Sequence, residues 1–279
     1  MYRIKKVLNH NTVIAIQTDD NQEYLIMGKG IGFGKKVSER IDAGEGDAVY
    51  SLQSSGSRGD ARELARAISP ECLEIANEVL SEAEKLFGKV DRSILFPMAD
   101  HIEFAVKRMK NQEQISNPLT EDIRVLFHME FKAASCIVPI MRRRMNLQIE
   151  EDEVGYIALH IHSAIEDEKV SQAMQMARSV RECISLVEQE IEKPIDVMSL
   201  SYNRLMNHIR YMVARAASGE SLKVNMNDYI SIKFPEAFQT AKSICQQIEK
   251  NLNCTLEDIE IGYLALHIER VTSDELDHP

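Results

Sequence analysis

Apolar positions follow two different rhythms along the chain. Over the first fifty residues they fall in short aliphatic and β-branched runs, RIKKVL at 3–8, TVIAIQT at 12–18 and EYLIM at 23–27. The turn-forming stretches NHN and DDNQ separate these runs, so they predict a small antiparallel meander with a fourth strand near residues 48–52. From residue 63 the apolar spacing changes to three and four, and the prediction becomes helical. Helices are expected at about 63–87, 94–110, 119–129, 130–146 and 151–166, then at about 170–191, 197–217, 225–234, 236–252 and 256–272. Asn117-Pro118, Lys193-Pro194 and Phe234-Pro235 punctuate the series. The fold class is multidomain: a small antiparallel all-β N-terminal domain followed by two homologous all-α domains of about five helices each.

A repeated phrase supports the last point. VGYIALHI at 154–161 returns as IGYLALHI at 261–268, a spacing of 107 residues. The same offset places Phe131 on Phe238, Ala134 on Ala241, Asn146 on Asn253 and His101 on His208. The expected limits are 1–55 for the β domain, 56–65 for a linker containing much of the Ser/Gly-rich QSSGSRGDA stretch, 66–169 for the first helical copy and 170–279 for the second.

Charge refines this division. The chain carries a net −11, which argues against nucleic acid, yet residues 1–40 hold seven Lys or Arg against four Asp or Glu. A basic module therefore precedes an acidic body. Its loop GKGIGFGKK at 28–36 is too glycine-rich for a strand or helix and lacks the GxGxxG spacing of a phosphate loop. An exposed Phe33 among Lys29, Lys35 and Lys36 instead suits single-stranded or looped RNA, which is bound by stacking and charge. A sheet of about fifty residues has little core of its own, which points to a homodimer. Five scattered cysteines without a CxxC pair read as free thiols in a reducing compartment. No signal-type segment and no apolar run of about eighteen residues is present, so no membrane insertion is expected and the location is cytoplasmic.

The histidines carry the candidate chemistry. Val154, Ile157, Ala158 and Ile161 form the buried stripe of one helix, with His160 at its edge beside Tyr156; His267 and Tyr263 repeat the arrangement. A single such histidine is most simply a half-buried structural residue. His101 with His160, and His208 with His267, make the same pair twice. A metal site is one reading, but two nitrogens are too few and no Asp, Glu or His recurs at i+3 or i+4 in both copies, so no metal or other cofactor is assigned. Phosphoryl acceptance is the other: an imidazole with a pKa of about 6.5 keeps an unprotonated nitrogen near neutral pH. His162 has Glu269 at its counterpart and is a weaker candidate, Pro97 before His101 marks a helix start or a kink, and Arg142-Arg143-Arg144 reads as a solvated face or an interface.

KVLNHN at 6–11, GKGIGFGKK at 28–36, ADH at 99–101, NHIR at 207–210 and the two GYxALHI phrases together resemble the transcriptional antiterminators of the BglG/SacY/LicT type. The resemblance covers essentially the whole chain. It implies a co-antiterminator RNA-binding domain followed by two phosphotransferase-system regulation domains, and no enzyme activity. The implied RNA surface is Lys6, Asn9, Asn11, Gly28, Lys29 and Phe33, binding a leader RNA hairpin as a homodimer so that an overlapping terminator cannot form. This chain has His10 where many members have Asn, Lys29 where several have Arg and Gly34 where several have Gln. The implied phosphorylation sites are His101, His160, His208 and His267. The sugar-specific enzyme II is expected to inactivate through the first copy, and the phosphocarrier HPr to activate through the second. Arg270 and Arg204 flank the second pair where the first has Ser163 and Pro97, which predicts that the second copy tolerates phosphate better. Two other classes stay in view: a helical metal-binding enzyme with a β appendage, and a DNA-binding activator with the same regulatory domains.

Overall fold

The computed structural model describes residues 1–52, 65, 67–113, 115–166, 168–197, 199–252 and 254–274. The linker expected at 56–65 lies outside the described residues except for Ala65.

The N-terminal runs form the strands β1 (Tyr2–Val7), β2 (Thr12–Gln17) and β3 (Glu23–Met27), joined by β4 (Arg40–Ile41) and β5 (Ala48–Ser51). All neighbours are antiparallel, in the order β4-β1-β2-β3-β5. β5 is the expected fourth strand, and the two-residue β4 is an addition too short for a periodicity to register. Strand pairing puts Val13 opposite Ile26 and Ile4 opposite Ala15. With Ile41 these side chains form a small core on one face, rimmed by Tyr2, Val7, Tyr24, Ile31 and Ala43. Alternation sends Thr12, Ile14, Leu25 and Tyr50 to the other face, and all four are also buried.

That second face meets the first helical copy. α1 (Pro70–Phe87) is capped by the Ser69 hydroxyl, which accepts from the Cys72 amide, and Pro70 occupies its first position. The single helix expected from residue 63 is therefore interrupted at Ser69-Pro70, as a capping serine before proline dictates. Thr12 Oγ1 donates to Glu74 at 3.2 Å, Tyr50 Oη donates to Asn77 at 2.6 Å, and the Tyr50 and Phe96 rings meet edge to face at 6.2 Å. Arg92 donates to Tyr50 Oη at 2.9 Å and pairs with Glu84.

After a 3-10 turn at Arg92–Ile94 come α2 (Leu95–Lys110), α3 (Thr120–Leu126), α4 (His128–Ala134), α5 (Ile137–Met145) and α6 (Glu151–Ile165). The second copy supplies α7 (Val170–Glu190), α8 (Leu200–Ser218), α9 (Asn227–Lys233), α10 (Pro235–Leu252) and α11 (Ile259–Asp274). The one helix expected at 130–146 is two, while its counterpart α10 is continuous. Pro139 explains the break: it has no N–H for the Ser135 carbonyl and its ring crowds that oxygen, and Gln246 stands at the matching place in α10. Pro97 is the third residue of α2, within the first turn, where its missing N–H breaks no intrahelical bond, so it marks the start of the helix. By contacts the described residues form two compact units, 1–117 with 127–170, and 118–126 with 171–279. All five cysteines are free, and no helix among the described residues is long and apolar enough to cross a membrane.

Candidate functional site

At one end of the sheet the β1–β2 turn and the glycine loop are stitched together. The Gly28 amide donates to the Asn11 carbonyl at 2.9 Å, the Gly30 amide to Asn11 Oδ1 at 2.9 Å and the Gly32 amide to the His10 carbonyl at 2.9 Å. Gly32 is required: a Cβ there would lie 2.3 Å from the Asn9 carbonyl oxygen. Gly30 adopts a positive φ of 75°. Phe33 is 68% exposed, its ring edge-on to His10 at 5.2 Å. Asn9, Asn11, Gly28, Lys29 and Phe33 thus share one end of the sheet, with Lys6 exposed near the end of β1. Asn9 and Asn11 are only half exposed, and Asn9 Nδ2 donates to Glu74 at 2.7 Å.

The helical copies each bring two histidines into ring contact, tilted in the first and stacked in the second. In the first, His101 on α2 and His160 on α6 have ring centroids 5.6 Å apart, with Tyr156 5.3 Å from His101. In the second, His208 on α8 and His267 on α11 stack at 4.8 Å, with Tyr263 6.3 Å from His208. The expected stripe of Val154, Ile157, Ala158 and Ile161 is buried, but α6 is covered nearly all round, so His160 is 7% exposed instead of standing at an edge.

Each pair has an acid and a base that lie outside the i+3 and i+4 positions. Glu153 Oε2 lies 2.9 Å from His101 Nε2, and Arg108 donates to Glu153 Oε1 at 2.6 Å and 3.2 Å. Arg215 grips Glu260 through Nε at 2.7 Å and Nη2 at 2.9 Å, and Glu260 Oε2 stands 3.9 Å from His208 Nε2. The signal was in the sequence. The 107-residue offset carries Arg108 onto Arg215 and Glu153 onto Glu260, each seven residues, or two helical turns, from a histidine of its own helix.

Electrostatics separate the members. Burial holds His160 at about 3, aided by His101. Burial also takes His208 down to about 3, with His267 and Arg215 adding to it, and takes His267 to about 4, with Arg270 and Arg204 adding to it. All three rings are neutral near pH 7. For Glu153 burial pushes upward, but hydrogen bonds from His101 and Arg108 outweigh it and keep the carboxyl below its ordinary value. An ionised carboxylate only accepts, so His101 Nε2 is the donor to Glu153. His160 Nδ1, His208 Nε2 and His267 Nδ1 are buried without a hydrogen-bond partner.

His162 has a structural role: its Nδ1 lies 2.9 Å from Glu130 and its ring packs on Phe127 at 4.4 Å. Ser163, the counterpart of Arg270, is buried and donates to the Glu168 carbonyl. Among the described residues no three His, Cys, Asp or Glu side chains converge as a metal site requires.

Residues 2–58 match the CAT RNA binding domain, and residues 73–164 and 181–271 each match the PRD domain. Protein GlcT of Staphylococcus haemolyticus is 31% identical over 96% of this chain and 95% of its own. The beta-glucoside operon antiterminator of Dickeya chrysanthemi is 29% identical over 98% and 97%, and transcription antiterminator LicT of Bacillus subtilis 29% over 96% and 98%. A crystal structure of GlcT CAT-PRDI superposes with a TM-score of 0.50 at 29% identity, covering 59% of this chain and 98% of that one.

Proposed function

This chain belongs to the transcription antiterminators built from one CAT RNA-binding domain and two PRD domains, and from that premise we propose that its histidine pairs receive phosphoryl groups that govern a dimeric, hairpin-binding β domain. The family's work is antitermination and not enzymatic turnover. The proposed target is a leader RNA hairpin of a sugar-utilisation operon, bound in the cytoplasm by Lys6, Asn9, Asn11, Gly28, Lys29 and Phe33 of two copies. Binding keeps the overlapping terminator from forming.

The observation that carries this reading is the duplicated cluster of two histidines, a buried glutamate and an arginine. A neutral imidazole attacks the phosphorus of a phosphohistidine donor, an N–P bond forms, and the donor's N–P bond breaks with its electron pair returning to the donor nitrogen. The donors are the phosphocarrier HPr and a sugar-specific enzyme II. Burial supplies the neutral ring at His160, His208 and His267. Glu153 orients the His101 ring, as outer partners orient a functional histidine elsewhere. A phosphoryl group adds up to about two negative charges, enough to remodel the packing of a pair of helices. His101 has 18% of its side chain exposed and is the more accessible first acceptor; His160 requires α6 to open.

The test uses the full chain incubated with phosphorylated HPr or the enzyme II phosphoryl domain, followed by mass mapping of each histidine. Label on at least one member of each pair, lost in the matching His→Ala variant, is the expected outcome. Label confined to other residues would remove the reading.

A further inference from the structure

The arginine triplet Arg142-Arg143-Arg144 occupies the last turn of α5. Arg144 Nη1 donates to Glu74 Oε2 at 2.8 Å and its Nε to Glu78 Oε2 at 3.0 Å, while Arg143 pairs with the other oxygen of Glu78. At the 107-residue spacing the second copy has Glu249, Lys250 and Asn251, so this anchor belongs to the copy next to the β domain. Glu74 is 9% exposed, and its free oxygen accepts from Asn9 Nδ2 at 2.7 Å and Thr12 Oγ1 at 3.2 Å. Burial raises the Glu74 carboxyl, but Asn9, Arg144 and Asn11 outweigh it and leave it below its usual range, ionised.

We propose that the α1 surface formed by Glu74, with Arg144 behind it, is a docking surface for the chain's own RNA-reading turn and competes there with RNA. The atoms left available to a ligand decide the matter. Asn9 Oδ1 is already used within the turn, accepting from the Asn11 amide at 2.8 Å, and Asn11 Oδ1 accepts from Gly30. The side-chain amide nitrogens of Asn9 and Asn11 are the donors that remain, and both turn toward Glu74, Asn9 at 2.7 Å. A buried carboxylate held by an arginine offers those donors what an RNA phosphate or base carbonyl would offer, an acceptor oxygen, with a negative charge that also repels an approaching backbone. Beside it, Tyr50 on Asn77 and Phe96 keeps the same sheet face covered. RNA engagement at Asn9 therefore requires the first helical copy to let go.

The inference rests on the RNA role proposed for Asn9 and Phe33. Its test takes a stem-loop selected from a randomised RNA pool on the full-length Glu74→Ala protein. Wild type, E74A, Arg144→Met and E74A with Phe33→Ala are then compared by gel shift, with amide exchange read over residues 9–12. Losing a charge-assisted hydrogen bond that blocks the ligand should tighten binding about ten-fold in E74A. R144M should shift in the same direction without touching the turn or relying on E74A to fold. The Phe33 substitution should weaken binding by about ten-fold or more in the E74A background. Faster exchange at residues 9–12 with unchanged affinity sinks the masking idea and leaves RNA binding intact. Failure to select any RNA sinks both.

Discussion

His160 and His208 at about 3, and His267 at about 4, tie the protein's stability to pH. A base whose folded pKa is depressed is protonated first in the unfolded chain. Below the ordinary histidine value of 6.5 the unfolded state takes up protons that the folded state refuses. The contribution is complete above that value and is lost as pH falls towards 3 or 4, by about 1.4 kcal/mol per pH unit for each ring. His208 and His267 sit in one unit, so urea unfolding between pH 7 and 5 should weaken the second unit more steeply than the first. His160→Asn should flatten the first unit's slope and leave the second unchanged; equal slopes with and without His160 would contradict the assignment. Glu153 and Arg108 were legible too, once the duplication was applied to every residue and not only to the histidines. The burial of His160 was not, because a helical stripe identifies one covered face and cannot count how many neighbours cover the others.

Strands and helices were readable where one residue type forces a local choice. NHN and DDNQ turn the meander as expected, whereas the helices expected at 63–87 and 130–146 ran through Ser69-Pro70, which starts α1, and Pro139, which parts α4 from α5. Each acts through its own backbone. The glycine loop depends on a distant atom: Gly32 meets the Asn9 carbonyl across the β1–β2 turn, and a Cβ would enter at 2.3 Å. Gly32→Ala should push the loop away from the turn and move Phe33 with it. RNA affinity is expected to fall about ten-fold, the weight of one stacked base, with helical circular dichroism unaltered. Wild-type affinity in that variant would mean that the loop and turn act separately.

For the whole molecule, two copies of one site face different surroundings. Both own the glutamate–arginine pair; the second adds Arg204 and Arg270 near His267, where the first has the buried Ser163. Cations offset phosphate charge, so at equal donor concentration the second copy should hold phosphate longer. Arg270→Met should bring its hydrolysis rate up to that of the first copy. Quantitative mass mapping over time measures both, and identical lifetimes before the substitution would remove the asymmetry. The arginine triplet, read from sequence as a solvated face or an interface, is bound up at Arg143 and Arg144 by Glu78 and Glu74.

The sequence by itself determined the three-part order, the duplication, the four paired histidines and the basic glycine loop, because periodicity, repeated phrases and turn chemistry are local properties of the chain. Only the tertiary structure decided that Glu153 faces His101, that His160 is shut away and that Glu74 holds Asn9. Those facts depend on which helix faces come together, and residues 52 or 65 positions apart carry no local pattern that announces their meeting.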